Sequence, residues 1–542
     1  MINPPISIYV NKTAFVPLPL LILGSCLKKI NNDRLNFSYE IIDLDFMLKQ
    51  GFFSDDESFY VESSKLIINK KPDIILFTVH GINHVVVLQL SEIIKKKLPS
   101  CTIIVGGVGP TLKAGEAIKR CRQIDVIVKG EGETVLKYLI PAILDNKCLE
   151  DVPSIAYHQN NHSFENSRFY QEKDEPIPFP DYSLVNINEY MDHNKKNPYI
   201  HPGFVLVETG RGCPYACSFC APAKMWEGKV RYRSMPDIFE EMKFLAKNGG
   251  DFSFFTQDNL EGSFLKILSE FLIEKNNNIK WGCYTRLDRL SSDLAPLMSK
   301  AGCRLIFAGL ETPNRNNQKA IRKVIDTSAF FTKLQHFNDY QIKFIGSFIV
   351  GFPKETDEEI EKTMLFAIEC STSMDFDELN LFISLNDQDK LPQKSQNICL
   401  IHPLAYMPGT ESFEREIKSL YISRYSLHPD CYGSYMFSHD KYKNDWSFLG
   451  CNPYLNYLPE EKVRYYCSIL RLFNFLNSRP YYFALLLRIM EETPLKLIKT
   501  IVADLKEEFV LTSKIKDFET EARNYVSRYL DYTPEWTVKK GQ

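Results

Sequence analysis

The stretch FVLVETGRGCPYACSFC, Phe204 to Cys220, sets an apolar run against three cysteines spaced C-x3-C-x2-C at Cys213, Cys217 and Cys220. The run FVLVETG (204–210) reads as a buried strand closed by glycine. The rhythm then repeats: DFSFFTQ (251–257), IKWGCYT (279–285), RLIFAGLET (304–312), IKFIGSFIVG (342–351) and DELNLFISL (377–385) read as strands. Helical patterns lie between them at 236–247, 263–276, 292–301, 328–337 and 356–370. Six βα units between residues 203 and 412 predict a central partial (β/α)6 barrel of the TIM type, more open than the eight-unit kind. Sites in such barrels form at the C-terminal ends of the strands, which is where the three cysteines fall.

Upstream, residues 1–150 also alternate strands and helices. EIIDL (40–44), DIILFTV (73–79), CTIIVGG (101–107) and IDVIVKGEGE (124–133) read as strands, with VVVLQLSEIIKKKLP as an intervening helix. That is the βαβ pattern of a doubly wound, Rossmann-like parallel sheet, whose ligands sit beyond the carboxyl ends of the strands. The loops at those ends, GGVGPT (106–111) and GEGE (130–133), are glycine-rich, which suits close approach of backbone to a bound molecule, or a tight turn alone. Residues 151–202 are turn-rich and then proline-rich, predicting a hairpin and an extended linker. From 413 to 542 apolar residues recur at helical spacing, predicting a mostly helical region covering the barrel, with 422–457 as a loop over the site.

A chain of 542 residues exceeds one hydrophobic core. Its net charge of −3, with no basic face, argues against nucleic acid as partner. No run reaches transmembrane length: the apolar segment FVPLPLLILGSC (15–26) carries Pro17 and Pro19, has little basic charge ahead of it and is too short to span a bilayer. Eleven of the fourteen cysteines are scattered, which reads as reduced thiols in a cytoplasm.

Three thiolates on one loop can each bind one iron of a [4Fe–4S] cube and leave the fourth iron without a protein ligand. Structural zinc needs four ligands and an electron-transfer cluster a fourth cysteine; neither pattern follows Cys220 within loop reach. An open coordination position is what distinguishes a reactive metal centre from a closed one.

At this point the residues resemble the radical SAM superfamily. ETGRGCPYACSFC is similar to its cluster loop, with Phe219 where a ring packs near adenine, and FTQDNL, YTRLDRL, AGCRLIFAGLET, FIVGFPKET and YMPGT follow in order. The resemblance implies that the free iron chelates the methionine end of S-adenosylmethionine. It further implies that Gly249 and Gly250 of NGGDFSFF receive its amino group, that Asp258 ends the second strand, that Arg286 meets the carboxylate or ribose, and that Glu311 meets the ribose. As residues alone, Glu208, Asp258, Arg286 and Glu311 serve equally as strand-end ion-pair partners. The elements of residues 1–140, from INPP to DVIVKGEGE, resemble the cobalamin-binding domain that precedes many radical SAM enzymes; the alternative is a degenerate domain kept only for packing. That likeness places cobalamin against Gly106, Gly107, Pro110, Thr111, Gly130, Glu131 and Gly132. No histidine occurs in residues 1–79 and His80 and His84 follow a later strand, so the resemblance implies cobalamin without histidine on cobalt.

The expected chemistry is reductive cleavage of S-adenosylmethionine by the cluster, with electrons from a donor such as flavodoxin or ferredoxin, and methyl transfer from the corrinoid to an unactivated carbon of a small-molecule or peptide substrate. A cyclase, rearrangement enzyme or epimerase would keep the radical step without the transfer; Cys283 and Cys303 suit the hydrogen donor of an epimerase as well as they suit a core. A non-catalytic iron–sulfur or corrinoid-binding protein is the reading of a different class.

Overall fold

The computed structural model describes residues 1–5, 13–31, 35–80, 83–167, 176–196, 203–372, 397–404 and 409–415. They divide into two compact units. The first takes in residues 1–259, 271–283 and the 409–415 segment; the second takes in 260–270 and the chain from 284 to 404.

In the first unit a seven-stranded sheet runs in the order β2 (Ile42–Asp43), β1 (Ile2–Asn3), β3 (Ile74–Thr78), β4 (Thr102–Gly106), β5 (Val126–Val128), β6 (Ile155–Gln159), β7 (His162–Glu165). The first five are parallel. Near-continuous burial along β3, β4 and β5 explains their unbroken Ile/Val/Leu runs, since a parallel sheet is covered on both faces. One face packs Phe59, Ile67, Leu90, Ile94 and Ile118 from the helices Ser58–Asn69, His84–Lys97 and Ala114–Arg120. The other packs Leu27, Leu136, Leu139 and Ile140 from the helices Leu18–Ile30 and Gly132–Leu144. From Leu18 onward the apolar Phe15–Cys26 run is core helix: Leu18, Leu20, Leu21 and Ile22 are buried. No helix among the described residues is long and apolar enough to cross a membrane.

Two features differ from the expected linker. The hairpin β6–β7 pairs antiparallel with β5 and so extends the sheet. The proline-rich stretch leads into a helix, Ile187–Asn194, because Tyr190 has a home: its ring stacks on Phe46 at 3.9 Å and its hydroxyl donates to Asp43 at 2.7 Å.

The first unit also holds β8 (Phe204–Val207), the two-stranded ribbon β9 (Gly210–Arg211) and β10 (Arg231–Tyr232), β11 (Phe252–Phe255) and most of β12 (Lys280–Tyr284). Strands β8, β11 and β12 are parallel neighbours in that order, and Phe255 stacks on the fully buried Trp281. In the second unit β13 (Cys303–Glu311), β14 (Lys343–Val350) and β15 (Ile398–Pro403) are likewise parallel neighbours. The helices Leu294–Lys300, Thr327–Asp339 and Asp357–Thr372 precede β13, β14 and β15. Five of these strands match the first five expected for the partial barrel, and Ile398–Pro403 is a further parallel strand beside β14. The 377–385 stretch, Tyr406–Pro408 of YMPGT, and the helical region and loop expected after residue 415 lie outside the described residues.

Candidate active site

The cluster loop begins where β8 and β9 end. Gly212 holds a left-handed φ of 98°, and a side chain there would press its Cβ to 2.0 Å from the Lys229 carbonyl, so only glycine carries the chain into Cys213. Cys213, Cys217 and Cys220 are all partly exposed, whereas Cys26, Cys101, Cys121, Cys283, Cys303, Cys370 and Cys399 are buried. The Cys220 amide donates to the Cys217 carbonyl at 3.2 Å, folding the motif into a turn, and Cys220 opens the helix Ala221–Trp226. Burial pushes the Cys220 thiol up to about 12, opposed by the Ala223 amide and reinforced by Cys217 and Cys213, so the three sulfurs feel one another. Among the described residues no group of three or more His, Cys, Asp or Glu stands in metal-holding geometry, so the reading of the trio as ligands rests on its C-x3-C-x2-C spacing and shared loop. Three soft donors at this spacing on one loop suit an iron–sulfur cube better than a structural zinc.

The loop is held from three sides. Asp258, just past β11, accepts the Gly212 amide at 3.2 Å and a hydrogen bond from the Trp226 side chain, so one carboxylate brackets the residues that flank the cysteines. Ser218, inside the motif, shares a 2.8 Å hydroxyl contact with Ser412, whose amide donates to the Ser218 carbonyl at 2.9 Å. Arg211, two residues before Cys213, reaches Glu208, Glu131 and Glu133.

Gly249 and Gly250 require a correction. They make the turn that enters β11, at its N-terminal end, while the cysteines follow the C-terminal end of β8, which runs parallel to it. Gly249 takes φ 91° and a Cβ on Gly250 would meet Val205 at 2.7 Å, so both serve the turn. A group at the opposite end of a strand cannot share the cysteines' site. At the C-terminal ends stand two buried groups that the sequence did not single out: Thr209 Oγ1 and Gln257 Oε1 have no hydrogen-bond partner among the described residues.

In the second unit the ion-pair alternative is realised. Arg286 is held bidentately by Asp288, at 3.1 Å through Nε and 2.7 Å through Nη2. Glu311 sits at φ 64° beside a register shift in β13 and pairs with buried Lys323 at 2.7 Å. Gly309 makes room for that pair, since its Cβ would come within 2.1 Å of Glu311. Phe219 is half-buried on the cluster loop.

The two glycine-rich loops meet at the carboxyl ends of β4 and β5. Gly107 adopts φ 113° with its would-be Cβ 2.4 Å from the Val79 carbonyl, and Gly130 adopts φ 76°. Thr111 joins them: its hydroxyl donates to the Gly107 carbonyl at 2.6 Å and accepts the Gly130 amide at 3.0 Å. Pro110 is buried in the short helix Val108–Thr111; Gly106 has open space apart from Val128 at 3.6 Å, and Gly132 starts a helix against Leu23. Glu131 is committed to Arg211 and Arg231. Neither loop contains a histidine.

A doubly wound sheet with two glycine loops at its carboxyl edge, followed by barrel strands whose first loop carries three cysteines, defines an enzyme of the α/β class that combines an iron–sulfur centre with a bulky cofactor. Residues 207–367 match the Radical SAM superfamily and residues 30–140 match the B12 binding domain. The chain thus carries a radical SAM domain with a B12-binding domain ahead of it. The cofactors that these two domains imply are a [4Fe–4S] cluster, S-adenosylmethionine and cobalamin. It is 26% identical over 312 residues to an uncharacterized methyltransferase of Pyrococcus horikoshii, covering 57% of this chain and 66% of that one. It is 26% identical over 369 residues to an anaerobic magnesium-protoporphyrin IX monomethyl ester cyclase of Synechocystis sp., covering 66% and 70%. The matches thus span about two thirds of those relatives' own lengths. Its fold is like that of the radical S-adenosylmethionine methyltransferase TsrM from Kitasatospora setae, solved with cobalamin and a [4Fe–4S] cluster (TM-score 0.60, 15% identity, 97% of this chain and 99% of that one). It is also like that of the cobalamin-dependent S-adenosylmethionine radical enzyme OxsB, solved with aqua-cobalamin and S-adenosylmethionine (0.60, 17%, 99% and 84%).

Proposed function

We propose that this protein is a cobalamin-dependent methyltransferase acting on an unactivated carbon of a small-molecule or peptide substrate. One observation carries the reading: a loop presenting three partly exposed thiols lies in the same compact unit as two glycine loops joined by Thr111. The resemblance to methyltransferase relatives supports it.

When bound, the reduced cluster with S-adenosylmethionine would supply a carbon radical and the corrinoid a methyl group. Cys213, Cys217 and Cys220 would hold three irons, and Asp258 and Ser412 would keep their loop in shape. Thr209 and Gln257 offer buried polar atoms at the strand ends in place of the glycine pair. Phe219, Arg286 and Glu311 remain assigned toward S-adenosylmethionine by resemblance; Arg286 would share its guanidinium between Asp288 and the ligand. The loops 106–111 and 130–132 would accept the corrinoid through backbone, with no histidine on cobalt. A single-electron donor such as flavodoxin or ferredoxin completes the requirement.

A cyclase is the second reading, favoured by matches to anaerobic magnesium-protoporphyrin IX monomethyl ester cyclases. Product analysis separates them. Anaerobically reconstituted protein, given cobalamin, reductant and substrate, should convert S-adenosylmethionine to S-adenosylhomocysteine together with 5′-deoxyadenosine; 5′-deoxyadenosine alone would rule out methylation.

A further inference from the structure

The ribbon β9–β10 sets Arg211 directly opposite Arg231. Like charges facing each other across an antiparallel pair destabilise it, and more so where water is scarce. Both side chains are largely buried, at 13% and 12% exposure. What lets them coexist comes from about a hundred residues away. Glu131 accepts from Arg231 Nη2 at 2.7 and 3.0 Å and pairs with Arg211 Nη1 at 2.9 Å. Arg211 Nη2 reaches Glu133 at 2.6 Å, and its Nε and Nη2 reach Glu208 at 2.9 and 3.0 Å. Three carboxylates thus surround two guanidiniums, and two of the three belong to the GEGE loop that follows Gly130.

We propose that Arg211 is a positioning residue that couples the two cofactor sites: it holds the loop assigned to cobalamin and the loop assigned to the cluster in one arrangement. The claim rests on the function proposed above. The physical reason is the cost of separation. Moving either loop strands buried charges of the other, and a buried ion left without its partner is strongly destabilising. Whatever orders one loop therefore favours the ordered form of the other, and by linkage the effect is reciprocal. Arg211 precedes Cys213 by only two residues, and the Gly212 amide between them donates to Asp258, so the ion-pair cluster and the cysteine loop share one short stretch of chain.

The test is a binding cycle on the full chain under anaerobic conditions. The dissociation constant of hydroxocobalamin is measured by absorbance titration on cluster-free and on iron–sulfide-reconstituted protein. In the wild type the reconstituted form should bind about 5- to 150-fold tighter, the range of ordinary coupling between sites. In Arg211→Gln that ratio should fall toward one, and in Arg211→Lys it should lie between, because one ammonium cannot fork to three carboxylates. Should Arg211→Gln not fold, Glu131→Gln, which leaves the two arginines opposed, carries the same expectation. A ratio of one in wild type that takes up both cofactors, or an undiminished ratio in the variants, overturns the coupling alone. Wild type that takes up no cluster or no corrinoid overturns the proposed function, and this inference with it.

Discussion

Asp258 Oδ2 accepts the backbone amide of Gly212 at 3.2 Å, and the same carboxylate takes a hydrogen bond from the side chain of Trp226. One residue at the end of the second barrel strand therefore closes both ends of the cysteine loop. Its replacement by alanine leaves a buried amide and an indole N–H without their acceptor, about 1–3 kcal/mol each. Asp258→Ala should lower iron and sulfide per chain severalfold after anaerobic reconstitution, with far-UV circular dichroism retained. Iron loading equal to wild type would show that the bracket does not shape the loop.

Each cysteine of the trio should be indispensable to the metal and no other exposed thiol should matter. Single Cys213→Ala, Cys217→Ala or Cys220→Ala variants should drop from about four irons per chain to below one. Cys148, also exposed, is the control: Cys148→Ala should leave iron content and the charge-transfer absorption unchanged. A cluster of normal intensity in any of the three variants would require a different ligand set.

Thr111→Val keeps side-chain volume and removes the hydroxyl that joins Gly107 to Gly130. The Gly130 amide loses its acceptor, at a cost of about 1–3 kcal/mol, equivalent to a weakening of cobalamin binding by roughly 5- to 150-fold if loop geometry carries affinity. Absorbance titration reads it directly. Unchanged affinity would move the corrinoid contact away from these loops.

Asp43 supplies a pH dependence. Burial pushes its carboxyl up to about 6, against hydrogen bonds from Phe46, Tyr190 and Asn3 that act the other way. The folded chain therefore holds this proton at a pH where the unfolded chain, near the ordinary aspartate value of about 3.9, has lost it. This group's contribution to stability is fully present below about 4, is lost as pH rises to about 6, and is flat above that, amounting to at most a few kcal/mol. The difference in unfolding free energy between wild type and Asp43→Asn should change across that window and be constant from pH 7 to 8. A constant difference from pH 4 to 6 would mean that Asp43 is ionised throughout.

Much of the fold was legible because its signals are local. Apolar runs such as DIILFTV and DFSFFTQ declared strands since parallel strands are buried on both faces, and the helices between them kept a period near 3.6. The limits of local reading are equally physical. The Phe15–Cys26 run is apolar enough by composition to suggest a membrane segment and from Leu18 onward is a core helix by packing, because apolar content does not say what will cover it.

The sequence by itself determined the order of elements, the spacing of the three thiols and the glycines that enter the two loops, all properties of residues within a few positions of one another. Tertiary structure decided the rest. Strand direction put Gly249 and Gly250 at the far end from the cysteines and left Gln257 and Thr209 at the near one. Packing chose the charge partners: Asp288 for Arg286, Lys323 for Glu311, and Glu131 and Glu133 for Arg211, the last pairs lying 80 and 78 residues apart. A carboxylate carries no mark of which cation it will meet, because that depends on which buried positions the folded chain brings within about 3 Å, where an ion pair outweighs the loss of water.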